Sequence, residues 1–318
     1  MKLAARIVST LTLIFALAAC GGREATTSTD GTAPAAADRK PLTIKGSDTM
    51  VILGQRLAEE YMVKNPGMVV QVNGGGSGTG IAALINGTVD LAQSSRPMKD
   101  DEKQKAAQSR GSAVVEQAVA LDGLAVFVNT ANPVQHLSMA QVKDIFQGKV
   151  TNWKEVGGPD AVIVLYGREN SSGTYDYFRE HVLEKGDFSP RVQTLQGTAA
   201  VINAVGHDKN GIGYGGIAYA KDVRPLAISA SGAPVAPSEA TVADGTYPLS
   251  RKLFFYFPQN APERVTKFAQ WSLTPEAQAL VTKVGYFPLN TTGGATTSTA
   301  AATDTTGSAM AGAATTAK

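Results

Sequence analysis

The chain has little with which to do redox or metal chemistry: its 318 residues include one cysteine and three histidines. A single thiol cannot close an internal disulfide. His136, His181 and His207 lie far apart in sequence and none falls in an HExxH-type spacing, which argues against a zinc or thiol-based site. The chain also lacks a long apolar run, since its longest, Ile7 to Ala19, is too short to span a bilayer comfortably. It lacks an excess of either charge as well, with 29 Lys plus Arg against 27 Asp plus Glu. Without a basic footprint, nucleic acid is not an expected partner. Any anion the protein holds must be held by local groups.

The apolar run follows Lys2 and Arg6 and ends in "LAAC", where the only cysteine, Cys20, stands. A charged start, a short apolar stretch and small residues before a cysteine read as a lipoprotein signal peptide over 1 to 19, with Cys20 as the lipidated residue. Lys2 and Arg6 are the only charges in that stretch, so its removal leaves 27 basic against 27 acidic residues. A lipid on Cys20 would then supply the membrane attachment. Residues 20 to 40 and 291 to 318 are rich in Ala, Thr, Gly and Ser and poor in large apolar side chains. They are expected to be a flexible linker and a disordered tail.

Between them, short apolar runs alternate with helical periodicities. "LTI" (42–44), "MVVQV" (68–72), "VDLA" (89–92), "LAVFVN" (124–129) and "VIVLY" (162–166) read as strands. Helices are expected from Met50 to Tyr61, from Ile81 to Asn86, from Met139 to Phe146 behind a Ser138 cap, from Thr174 to Leu183, and after Thr274 and Pro275. Alternating β and α units imply an α/β fold with largely parallel sheets and ligand loops at the carboxyl ends of the strands.

Those loops do not match known catalytic signatures. "GGSGT" around Ser77 misses the G-x-S-x-G elbow because Thr79 takes the last glycine position, "NSSGT" around Ser172 misses it too, and neither carries a P-loop lysine. Gly78, Gly80 and Ala83 fit G-x-G-x-x-A, but the helix that follows is too short for a dinucleotide fold. What Gly, Ser and Thr between a strand and a helix do well is present backbone N–H groups and small hydroxyls to an oxyanion. Three segments share that design: "KGSDT" with Ser47 and Thr49, "GGGSGT" with Ser77, and "NSSGT" with Ser172, Gly173 and Thr174. Arg168, just ahead of the third, adds a planar fork suited to two oxygens at once. Taken singly each phrase is an ordinary turn with a helix cap, and Arg168 an ordinary ion-pairing residue. Together they offer on the order of eight donors, and at ~1 kcal/mol net each they would approach the ~8 kcal/mol of a micromolar site.

"KGSDTM", "GGGSGTG", "VDLAQSSRPM", "MAQVKDIFQGKVTNWKEVGG", "GRENSSGT", "GIGYGGIAYA" and "YPLSRKL" occur in the order seen in the phosphate-binding proteins of high-affinity phosphate ABC transporters. The resemblance covers nearly all of 41 to 290. It implies a type II periplasmic-binding-protein fold, two α/β lobes with a ligand cleft and two hinge crossings. One lobe would hold 41 to 122 plus 227 to 290, the other 123 to 226. It further implies a phosphate site made of Ser47, Asp48, Thr49, Ser77, Ser95, Arg168, Ser172, Gly173 and Thr174. Well-known members carry an aspartate where this chain has Ser95, and that carboxylate accepts the proton of phosphate and repels sulfate. Asp48, or failing it Glu169, is the expected replacement. Arg96 is expected to be a solvated side chain.

The implied function is an extracytoplasmic, lipid-anchored, monomeric binding protein. It would close on inorganic phosphate and deliver it to an ABC permease, with no cofactor and no bond chemistry. Molybdate or tungstate binding is the alternative within the class. An exported phosphoester hydrolase or an adhesin on the same fold are the readings outside it.

Overall fold

A computed structural model describes residues 40–289. The expectations for the leader, for Cys20, for all but the last residue of the linker and for the 291 to 318 tail fall outside those residues. The first half of the fold runs β1 (Leu42–Gly46), α1 (Val51–Lys64), β2 (Val70–Asn73), α2 (Ser77–Ile85), β3 (Leu91–Ser94), α3 (Asp100–Arg110) and the long β4 (Val114–Asn129). The chain continues through β5 (His136–Ser138), α4 (Met139–Phe146), β6 (Val164–Arg168), α5 (Gly173–His181), β7 (Gln193–Leu195), α6 (Thr198–His207) and β8 (Gly211–Gly216). It ends with β9 (Val223–Pro225), β10 (Ala227–Ser229), α7 (Glu239–Ala243), β11 (Ser250–Pro258), α8 (Glu263–Trp271) and α9 (Pro275–Val284).

Local chemistry sets most helix ends where the sequence places them. The Ser138 hydroxyl accepts the Gln141 N–H at 3.1 Å while Gln141 reaches back to the Ser138 N–H at 2.8 Å, a reciprocal cap. Thr274 caps α9 ahead of Pro275. Two helices start differently. A 3-10 turn over Asp48–Met50 precedes α1, and α2 begins at Ser77, a turn earlier than its apolar spacing suggests. Gly75 and Gly76, at φ of 109° and 92°, make the tight entry that allows this.

Nine of the eleven described strands form one sheet along the path β2-β1-β3-β11-β4-β8-β6-β7, with β9 also on β4. Both wings are parallel, as βα alternation requires: β1 lies between β2 and β3, and β6 between β7 and β8. The centre is not parallel, contrary to the simplest expectation. β11 runs antiparallel to β3 and β4, and β4 antiparallel to β8. The chain leaves the first wing along β4 and returns along β11, so the two crossing strands must point in opposite directions. Continuous apolar runs mark both as strands covered on two faces.

Period-2 alternation assigns each face to a core. Along β11, Leu253, Phe255 and Phe257 join α1, α8 and α9, whereas Phe254 and Tyr256 face Ile81, Leu84 and Met98. Along β4, Val119 and Ala120 belong to that first core, while Leu124, Val126 and Val128 belong to a second one with Phe146, Phe178 and Tyr214. The changeover occurs at Leu121 to Gly123. There the buried Asp122 is paired in register with Arg251 of β11, its carboxylate 2.7 Å from the Arg251 Nη2. β10 pairs with β5, and Val242, Tyr247 and Leu249 pack into the second core.

Candidate functional site

Four strand ends converge between the two wings. β1 stops at Gly46, where a Cβ would collide with the Gln93 carbonyl. The next residue, Ser47, donates its N–H to that carbonyl at 2.8 Å, which ties the first loop to the end of β3. β3 delivers Ser95, β6 delivers Arg168, and β7 is followed by Gly197 and Thr198 at the start of α6. Gly197 has φ of 79°, so the chain turns there as it does at Gly76.

The hydroxyls so delivered form one buried network. Ser47 Oγ donates to Ser95 Oγ at 2.9 Å, and Ser95 Oγ lies 3.4 Å from both Ser77 Oγ and Thr174 Oγ1. Thr49 Oγ1 is 2.8 Å from Thr174 Oγ1 and 3.4 Å from Thr198 Oγ1, which accepts from Arg168 Nη1 at 2.7 Å. None of Ser47, Thr49, Ser77, Ser95, Arg168, Thr174 and Thr198 is more than 2% exposed. Gly173 faces the same point: a Cβ on it would run into Ser77 Oγ and come within 3.0 Å of Ser95 Oγ. Small polar groups at this density are costly to bury unless they are hydrogen-bonded, as these are to one another and to Arg168.

The nine residues expected from the sequence thus lie in one neighbourhood, but not all present their side chains to its centre. The Ser172 hydroxyl is spent as the cap of α5, accepting the N–H groups of Thr174 at 3.2 Å and Tyr175 at 3.3 Å. Asp48 stands at the rim: Oδ1 accepts the Gly75 N–H at 2.9 Å and Oδ2 accepts from Arg168 Nη2 at 3.0 Å. Glu169 holds the other edge of the guanidinium, taking Nε at 3.0 Å and Nη2 at 2.9 Å, and its Oε2 also accepts the Gly197 N–H at 3.3 Å. Burial pushes the Glu169 carboxyl up, but Arg168 and these N–H groups outweigh it and leave the pKa below the usual glutamate value. Four of the five guanidinium N–H groups are therefore directed by Glu169, Asp48 and Thr198, which fixes the plane in which the fifth points.

Two tyrosines lock the first loop from behind. Tyr219 donates to the Asp48 carbonyl at 2.7 Å and Tyr286 to the Thr49 carbonyl. Burial and the Asp48 charge push the Tyr219 hydroxyl up to about 12, so it remains a donor at any physiological pH. The sequence reading missed Thr198, although "QGTAA" carries the same Gly-Thr step before a helix as "SGT" at 172 to 174. It also misjudged Arg96, which is 6% exposed and ion-paired rather than solvated.

Residues 28–276 match the family model described as the PBP superfamily domain. The chain belongs to the periplasmic-binding-protein superfamily, and its fold is the type II fold of that class: two α/β lobes, a cleft and two crossings. Within it, the chain belongs to the family of phosphate-binding proteins. It is 38% identical over 264 residues to the phosphate-binding protein PstS of Pseudomonas aeruginosa, covering 77% of this chain and 81% of the relative. It is 33% identical over 249 residues to the protein of the same name from Bacillus subtilis, covering 78% and 80%. Among solved structures it is similar to a Clostridium perfringens protein with bound phosphate, at 30% identity and a TM-score of 0.71 over 79% of this chain and all of that one.

Proposed function

We propose that this chain captures inorganic phosphate by closing its two lobes on it and delivers it to an ABC permease outside the cytoplasm, with no bond chemistry. The observation that carries the reading is the buried network of six hydroxyls, Gly173 and Arg168, supplied by loops of both halves. A tetrahedral oxyanion with four oxygens is the object that such a set of converging donors suits. The relatives' names support phosphate among oxyanions. Because the ligand touches both halves only when they are closed, its binding shifts the population toward closure.

Selectivity then turns on who accepts the proton of phosphate. Asp48 and Glu169 are committed to Arg168 and to backbone N–H groups. Ser77, Ser172 and Thr198 already accept from Ser95 N–H, Thr174 N–H and Arg168, so their own protons point outward as donors. Ser95 likewise accepts from Ser47, whereas Ser47 has spent its own proton there and can meet a ligand only as an acceptor, and Thr49 and Thr174, which share one bond, keep lone pairs as well. We assign the acceptor role to this set rather than to Asp48. Since a hydroxyl accepts a proton without repelling an aprotic anion, the discrimination against sulfate is expected to be weaker than a carboxylate would give.

The pairing of β10 with β5 and the packing of Val242, Tyr247 and Leu249 support lobe boundaries near 123 and 250, with 227 to 249 in the second lobe. Lipidation of Cys20 would hold the protein at the membrane surface. Among the described residues no helix is long and apolar enough to cross a membrane.

Titration calorimetry of the protein with phosphate, arsenate, sulfate and molybdate tests the reading. Phosphate and arsenate should bind at micromolar concentration or tighter and raise the melting temperature. Tighter binding of molybdate than of phosphate would transfer the chain to the other oxyanion class, and no heat with any of the four would remove the binding function.

A further inference from the structure

The guanidinium of Arg96, next to Ser95, is organised entirely by its own half of the molecule. Glu102 of α3 takes Nη1 and Nη2 side by side, both at 2.8 Å, and Nη1 also donates to the Pro97 carbonyl at 2.8 Å. Glu102 is in turn fixed by the Lys99 N–H at 2.8 Å. This leaves Nε as the edge that faces outward. It meets Asp176 Oδ2 at 2.9 Å, and Lys99 Nζ stands 3.7 Å from the same oxygen. Asp176 belongs to the first turn of α5, three residues after Gly173, in the other half. The contact therefore crosses the cleft within one residue of Ser95 and one helical turn of Gly173.

We propose that Arg96 and Asp176 form a latch that holds the closed lobes together and sets how slowly the ligand leaves. The inference rests on the reading that closure encloses an oxyanion. Three features carry it. The arginine is already held in place by Glu102, so engaging it on closure freezes little additional side-chain freedom. The Arg96 side chain is 7% exposed and that of Asp176 30%, so the pair is screened less by salt than a surface pair. Finally, the pair spans the two halves without being part of the hydroxyl network, so it contributes only in the closed state. A contact made only after the ligand is enclosed slows dissociation and leaves association unchanged.

The test uses Asp176→Asn in the full chain, which keeps volume and leaves the Arg96 and Glu102 pairing intact. Stopped-flow release of phosphate should be faster by on the order of tenfold, with the association rate and the ligand-free melting temperature unchanged. Lys99→Gln, at the longer distance, should change release by less than about twofold. An Asp176→Asn protein that releases phosphate at the wild-type rate overturns the latch. If the wild-type protein binds another of the oxyanions but not phosphate, the phosphate reading fails separately, and release of that anion decides the latch: faster release from Asp176→Asn upholds it and an unchanged rate overturns it. If the wild-type protein binds none of them, the latch falls with the functional reading.

Discussion

The two halves of the site are built from opposite materials. The first half contributes neutral hydroxyls, Ser47, Thr49, Ser77 and Ser95, on loops that are stitched to each other through Gln93 and Gly46. The second contributes the cation, Arg168, with Glu169 along one edge and the N-terminal turns of α5 and α6 beside it. One carboxylate, Asp48, reaches from the neutral half to Arg168 of the charged one. The division has a physical logic. An arginine buried at 2% exposure must be compensated within its own half if that half is to fold without the other, and Glu169 does this. Hydroxyls need no such counter-charge and can wait on the facing wall. Closure then brings dipoles to a charge that is already neutralised, which avoids the repulsion that two charged walls would suffer.

The sharpest way to break this asymmetry is Arg168→Ala. It removes the cation and strands Glu169 and Asp48, so phosphate affinity should fall by on the order of a hundredfold or more in calorimetry, with stability lowered as well. Intact affinity would take the cation out of the site. Gly173→Ala comes next, because its Cβ would press Ser77 Oγ and Ser95 Oγ apart across the cleft. We expect a loss of roughly tenfold to a hundredfold in affinity with little change in ligand-free melting temperature, since the strain exists only when the halves meet. Thr198→Val deletes one hydroxyl from the charged half while keeping shape, and should cost about tenfold, near 1.4 kcal/mol. Thr49→Val, in the neutral half, should cost no more than Thr198→Val, because it loses no bond to a charge. A reversed order would dissolve the proposed division.

The smallest effect is one of pH. The folded-state pKa of Glu169 lies below its ordinary value, so its pairing stabilises the protein fully above the unfolded value of about 4.3 and is lost as pH falls through the folded value. The melting-temperature difference between wild type and Glu169→Gln should therefore be constant near neutrality and vanish in acid. No difference between the two proteins near neutrality would mean that the pair adds nothing to folding.

Much of this was legible beforehand, and the reasons are local. The Ser138 cap and the Thr274 and Pro275 start are written into a few adjacent residues, and the helices they open follow the periodicity. The three Ser/Thr/Gly phrases could be recognised as anion loops because backbone N–H groups at a helix start are a short-range property. Thr198 was missed because the strand before it, Gln193–Leu195, is three residues long and mostly exposed, with no apolar signal to announce a βα unit. The antiparallel centre was missed because strand direction depends on where the chain returns, which no local window contains.

Arg96 and Asp48 show the limit most clearly. In the sequence Arg96 precedes a proline and looks like a surface residue, and Asp48 sits among donors and looks like an acceptor for the ligand. Residue types and spacing pointed to loops suited to an oxyanion, and the resemblance of the ordered motifs pointed to the family. Which carboxylate faces which cation was decided only when β4 and β11 brought 48 beside 168 and 96 beside 176. Donors at helix starts are made by neighbours in the chain, whereas ion pairs across a cleft are made by residues that only the closed fold brings within 3 Å.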